Sequence, residues 1–129
     1  MRIELNHTIV HARDRLASAT FLAGILGRAV APPWGPFLPI PLDNDVVLEF
    51  LQVDEPPAPQ HYAFLVTDEV FDAAFARIQE SGAPYWADPF HHHAGRINHD
   101  HGGRGVYFDD PDGHSMELMT APYGTPPVR

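Results

Sequence analysis

The chain has 129 residues, a formal net charge of −9, no cysteine, and 8 basic residues that are all arginine. Such a length bounds one domain around one core. The composition excludes disulfides, thiol nucleophiles, cysteine-based metal centres and lysine Schiff bases. The arginines (2, 13, 15, 28, 77, 96, 104 and 129) form no basic stripe, which argues against a nucleic-acid partner. No apolar run nears the roughly 18 residues of a membrane span. The N-terminal stretch enters an alternating pattern without a signal-peptide-like apolar region, so a cytoplasmic protein with a small-molecule partner is expected.

The alternation in residues 3–12 (IELNHTIVHA) predicts a strand with His7, Ile9 and His11 on one face. Asp14 can cap a helix reaching Leu26, with Leu16, Ala19, Ala23 and Leu26 as its apolar spacing and Gly27 as its stop. Residues 31–36 (APPWGP) are loop, and FLPIPL after them is suited only to an edge strand. A DND turn leads into a β-branched strand over 46–53, and DEPPAP is a second proline-rich connector.

The chain then restarts. Residues 60–66 read as a strand, and Thr67 can cap a helix whose Phe71, Ala74, Phe75 and Ile78 follow i, i+3, i+4, i+7 before Gly82. PYWADP is a short strand, a histidine-rich loop follows, and GVYFDDPDGHSMELMT is a hairpin turning at Asp-Pro-Asp-Gly. Residues 121–129 read as an extended, loosely packed arm.

Both halves run His, strand, helix, Gly, and each closes on a turn followed by a strand bearing one glutamate. The fold class expected is α+β: two β-α-β-β-β modules, residues 3–53 and 60–120, forming a curved mixed sheet around a metal-binding cleft. The duplication makes four positions equivalent: His7, Glu49, His61 and Glu117. A charged glutamate inside VVLEFLQ or SMELM needs a partner or a cation. Alternation turns Glu49 and Glu117 away from the faces that suit the helices. Two imidazoles with one or two carboxylates suit a divalent ion (Fe, Mn, Ni or Zn) with positions left for substrate. Taken singly, each histidine also fits a structural role, and each glutamate a solvated or arginine-paired one.

LNHTIVHARDRLASATFLAGILG, HYAFLV with FDAAFARIQESG, and GVYFDDPDGHSMEL together resemble the vicinal oxygen chelate superfamily, over residues 3 to 120. That superfamily contains glyoxalases, fosfomycin-resistance proteins, bleomycin-resistance proteins and extradiol dioxygenases. The resemblance implies His7, His61 and Glu117 as metal ligands, and Glu49 as a fourth ligand or a catalytic base. It also implies a homodimer whose sites draw on both subunits, and a metal acting as Lewis acid on adjacent substrate oxygens.

The chemistry expected is of the glyoxalase or dioxygenase type, in an enzyme classed as lyase, isomerase or oxidoreductase. The alternatives are a fosfomycin-type transferase or hydrolase and a metal-free protein that sequesters a drug. Fosfomycin-type contacts are partly missing: Ile9 stands where Thr is expected and Gly105 where Ser is, whereas Tyr107 matches. The loop PFHHHAGRINHDHGG, residues 89–103, can fold as a lid. His93, Arg96, Asn98, His101, Arg104 and Tyr107 are its candidates, with the neighbouring strand, for substrate contact or acid–base work. A polar surface loop is the competing reading of the run.

Overall fold

The computed structural model describes residues 1–124, and its elements divide into two compact units, residues 1–58 and 59–129. The first contains β1 (His7–Ala12), α1 (Arg15–Leu26), β2 (Phe37–Pro41) and β3 (Val47–Gln52). The second contains β4 (His61–Leu65), α2 (Asp68–Ser81), β5 (Tyr85–Trp86), β6 (Gly105–Asp109) and β7 (Ser115–Met119). The α+β class and the repeat are as expected, with the full β-α-β-β-β pattern in the second module and one strand fewer in the first. Residues 1–6 precede β1 without regular structure, so the first strand is shorter than its alternation suggests.

The helices form where their caps dictate. The Asp14 carboxylate accepts the Ala17 N–H and the Thr67 hydroxyl accepts the Val70 N–H, each satisfying an otherwise orphaned donor of the first turn. Both helices stop at a glycine in the left-handed region, Gly27 at φ 68° and Gly82 at φ 75°. In α2 the apolar spacing picks out the buried face, Phe71, Ala74 and Ile78. In α1 it is right for Ala19, Ala23 and Leu26, which are buried, but not for Leu16, which is exposed, and it omits the buried Ser18, Leu22 and Ile25. That helix is apolar on several sides, so spacing alone does not locate the face that packs.

Each unit has its own mixed sheet, ordered β1-β3-β2 in the first and β4-β7-β6-β5 in the second. β1 runs parallel to β3, with β2 antiparallel on the other side of β3. β4 runs parallel to β7, with β6 antiparallel to β7 and β5 antiparallel to β6. The proline-bearing β2 lies on the sheet edge, where missing N–H donors cost no ladder bonds. The first module has one strand fewer than the β-α-β-β-β pattern: in place of a counterpart to β5 it has a bridge between Trp34 and Phe37. Pro32, Pro33 and Pro36 surround that bridge and remove the donors a longer pairing would need.

Register supports the duplication residue by residue. His7 pairs with Val47 and Ile9 with Glu49; His61 pairs with Ser115 and Ala63 with Glu117. In both sheets the glutamate thus stands two residues beyond the histidine's partner, which places the two side chains on one face. The opposite face supplies the apolar core: Val10, Leu48 and Phe50 in the first module, and Phe64, Phe108, Met116 and Leu118 in the second. Among the described residues, no helix is long and apolar enough to cross a membrane.

Candidate metal and substrate site

In the second module the sheet face brings His61, Glu117 and Tyr107 together. His61 Nε2 lies 3.2 Å from Glu117 Oε1, and the His61 ring stacks on Tyr107 at 6.0 Å between centroids. His61 Nδ1 is 3.1 Å from the Ser115 carbonyl oxygen. A carbonyl only accepts, so Nδ1 carries the proton and Nε2 offers its lone pair toward an anionic oxygen. Two acceptors facing at that distance require a positive charge between them, either a second imidazole proton or a metal ion. A ring nitrogen tied to a carbonyl, with the other left free, is also how metal-binding histidines are held.

His7 in the first module repeats this device, its Nδ1 lying 2.8 Å from Asn6 Oδ1. Glu49, on the same face of that sheet, is buried; its Oε2 accepts the Trp34 indole N–H at 2.8 Å, and its Oε1 is buried with no partner. A buried carboxylate oxygen without a donor is costly unless a cation answers it. Nitrogen and carboxylate donors of this kind fit a divalent first-row ion. No group of three or more candidate ligands converges among the described residues.

Tyr123 is the residue that sequence reasoning missed. Its hydroxyl donates to Glu117, at 2.8 Å from Oε1 and 2.9 Å from Oε2. It also lies 2.9 Å from the Tyr107 hydroxyl. Since the Tyr123 proton is directed at the carboxylate, Tyr107 donates to the Tyr123 oxygen. Burial, the bond to Tyr123 and the Glu117 charge push the Tyr107 pKa far up. Burial, with Glu117 behind it, raises that of Tyr123 although the Tyr107 bond opposes. Both phenols stay protonated and serve as donors rather than phenolate bases. The start of the C-terminal arm is therefore packed back onto the sheet, and residues 125–129 of that arm lie outside the described residues. The one available signal was an aromatic side chain with a polar tip in an otherwise small-residue arm.

Tyr107, Glu117 and Tyr123 border a cavity of about 140 Å³, which His101, Asn98, Asp100 and Arg104 also line. His101 stacks on Tyr123 at 4.5 Å, and its Nδ1 accepts the Gly124 N–H at 3.0 Å, so its proton sits on Nε2. The Arg104 guanidinium is committed elsewhere, to Asp72 at 2.7 Å and Asp68 at 2.9 Å, and lies over the Phe71 ring at 4.5 Å. The two carboxylates raise its pKa, Asp72 most strongly, with burial opposing. An anion entering this cavity meets Asp100 and Glu117, and an arginine that is already paired.

Asn98 acts as a brace. Its Nδ2 donates to the Ala87 carbonyl at 2.8 Å, its Oδ1 accepts the Asp100 N–H at 3.1 Å, and its backbone pairs with Gly105 in both directions. A Cβ on Gly105 would fall 2.8 Å from Asn98 Nδ2 and 2.9 Å from Oδ1. Installing the serine that the resemblance leads one to expect there must therefore dislodge the brace. Thermal or urea unfolding of Gly105→Ser is expected to show a loss of about 1–3 kcal/mol, the usual cost of overpacking.

The first part of the histidine-rich loop, His91 to His93, does not line this cavity, whereas Asn98, Asp100 and His101 from its second part do. Asp88 organises that first part by accepting the N–H groups of Phe90, His92 and His93. Burial tends to raise the Asp88 pKa, but these three donors outweigh it and hold the carboxyl below its ordinary range. His91 stacks flat on Trp86, with centroids 3.5 Å apart, and lies 3.6 Å from Asp109. His93 and Arg96 are exposed and do not line the cavity.

A doubled β-α-β module with His and Glu at matched positions of paired strands defines the vicinal oxygen chelate class. A family model described as a glyoxalase-like domain matches residues 7–119, and the chain belongs to that family. Among solved structures it is similar to oxidase ChaP-H1, at 59% identity over 95% of this chain and 99% of that one, with a TM-score of 0.93. Oxidase ChaP-H2 is similar at 54% identity over 97% and 98% of the two chains, with a TM-score of 0.95. Glutathione transferase FosA of Serratia marcescens is 31% identical over 88% of this chain and 78% of that protein.

Proposed function

We propose that this protein is a metal-dependent enzyme of the vicinal oxygen chelate type that carries out oxygen chemistry on a small, uncharged molecule with adjacent oxygen functions. The observation that carries this reading is the 54–59% identity, over at least 95% of the chain, to two proteins named as oxidases. The ligands are His7, His61 and Glu117, with Glu49 as a fourth ligand or a base. The His61 Nδ1 bond to the Ser115 carbonyl, which turns Nε2 toward Glu117, the matching arrangement at His7 and the partnerless Oε1 of Glu49 support that donor set. The metal supplies Lewis acidity toward two substrate oxygens and, if iron, a site for dioxygen.

The chain's own residues then have distinct tasks. Tyr107, held protonated, donates to oxyanion character on the substrate once its bond to Tyr123 is exchanged for one to the substrate. His101, with its proton on Nε2, is placed to donate at the cavity wall. Glu49, if not a ligand, holds or moves a proton through Oε1. The commitment of Arg104 to Asp68 and Asp72 disfavours an anionic substrate and separates this site from a phosphonate-binding one. The 31% identity to glutathione transferase FosA favours a second reading, transfer of a thiol to an antibiotic. We further propose a cytoplasmic homodimer, which light scattering on the full chain checks.

The experiment compares oxygen uptake by the iron-loaded protein on neutral ortho-diphenols and hydroxyketones with glutathione conjugation to fosfomycin. Substrate-dependent oxygen uptake without conjugation is the expected result. Conjugation without oxygen uptake would move the reading to the transferase. Ligand capture that survives exhaustive chelation, with neither activity, would leave a sequestering protein.

A further inference from the structure

We propose that Tyr123 is a latch on Glu117, a positioning residue that holds the carboxylate where a metal would bind and must release it for the metal to load. The inference rests on the metal reading above and concerns how that site is gated.

The Tyr123 hydroxyl is nearly equidistant from the two Glu117 oxygens, at 2.8 and 2.9 Å. A group so placed lies near the bisector of the carboxylate, the position a chelated cation takes. The proton and the cation therefore compete for one place. Nor is the carboxylate free to turn aside, since Oε1 also faces His61 Nε2 at 3.2 Å and Glu117 is almost wholly buried. The Tyr107 hydroxyl behind Tyr123 strengthens the hold, because a phenol whose oxygen accepts a bond becomes a better donor.

The latch is also built to move. Tyr123 is 59% exposed, whereas Glu117 and Tyr107, which hold its hydroxyl, are buried. It is fixed at its tip by Glu117 and Tyr107 and on its ring by His101, with the Gly124 N–H on His101 as a further tie. Tyr123 itself stands outside the apolar core, so residues 121–124 can leave while Tyr107 and Glu117 stay buried where they are. Once released, the Tyr123 hydroxyl is available at the rim of the cavity as a donor to substrate.

Tyr123→Phe keeps the ring stack and removes only the hydroxyl. Calorimetric titration of the metal-free protein with Mn(II) is expected to show roughly tenfold tighter binding in the variant than in wild type, the scale of one hydrogen bond to a charged acceptor. Tyr107→Phe should shift binding in the same direction by less. Amide exchange at Gly124 of wild type is expected to quicken on adding Mn(II), as the arm lets go. If wild type binds Mn(II) and Tyr123→Phe binds no tighter, or Gly124 stays as protected as before, the latch is wrong and the metal reading stands. If neither protein binds Mn(II) or Fe(II), the metal reading falls and the latch falls with it.

Discussion

In His61→Ala protein prepared without a nickel resin, metal content by mass spectrometry is expected to drop from about one ion per chain to near none. A drop of at least about 100-fold in metal-dependent activity should accompany it, because losing a ligand exceeds the loss typical of an outer-shell partner. The Ser115 carbonyl holds a proton on His61 Nδ1 and so turns Nε2 toward Glu117, where a metal would be shared between them. The control is His91→Ala, which removes a histidine held between Trp86 and Asp109 in the loop and should leave metal content unchanged. Metal that persisted in His61→Ala but vanished in His91→Ala would relocate the site to the loop and overturn the strand assignment.

The second large effect is structural. Phe108 is fully buried on β6, facing the core with Met116 and Leu118, while its neighbour Tyr107 faces the site. Phe108→Ala should cost about 3–5 kcal/mol through lost burial and the cavity it leaves. For a domain of this size that lowers Tm by roughly 10–20 °C. The strand that positions Tyr107 opposite Glu117 would then keep only Val106 as a fully buried apolar anchor on its core face, so metal affinity should weaken as well. A Tm within a few degrees of wild type, measured by calorimetry at matched concentration, would show that the side chain's space can collapse and that this packing is not what holds the register.

Much of this architecture is legible in the sequence because the signals are local. Caps at Asp14 and Thr67, stops at Gly27 and Gly82 and the Asp-Pro-Asp-Gly turn act within a few residues of where they are read. The alternation around Glu49 and Glu117 assigns them to the face away from the core, and the register bears that out. The helix face of α1 was only partly legible: Ala19, Ala23 and Leu26 are buried as expected, but its apolar residues lie on several sides, and packing leaves Leu16 out and takes Leu22 and Ile25 in. The absence of a strand over 31–36 was legible, because the prolines there restrict pairing to a single bridge, although the module pattern drawn from the second half implied one.

By itself the sequence determined the doubled module, the family and the four matched His and Glu positions, since period, turn chemistry and repetition need no knowledge of distant neighbours. What tertiary structure alone decided is which polar groups are already taken. Arg104 meets Asp68 and Asp72 from 36 and 32 residues away, and Tyr107 meets Tyr123 across 16. Tyr123 reaches Glu117 only because the chain doubles back after β7. A side chain's hydrogen-bonding capacity is visible in its identity, but its partners are set by strand register and chain reversal. A folded sheet is therefore needed to show that Arg104 is a clasp and that Tyr123 holds the carboxylate.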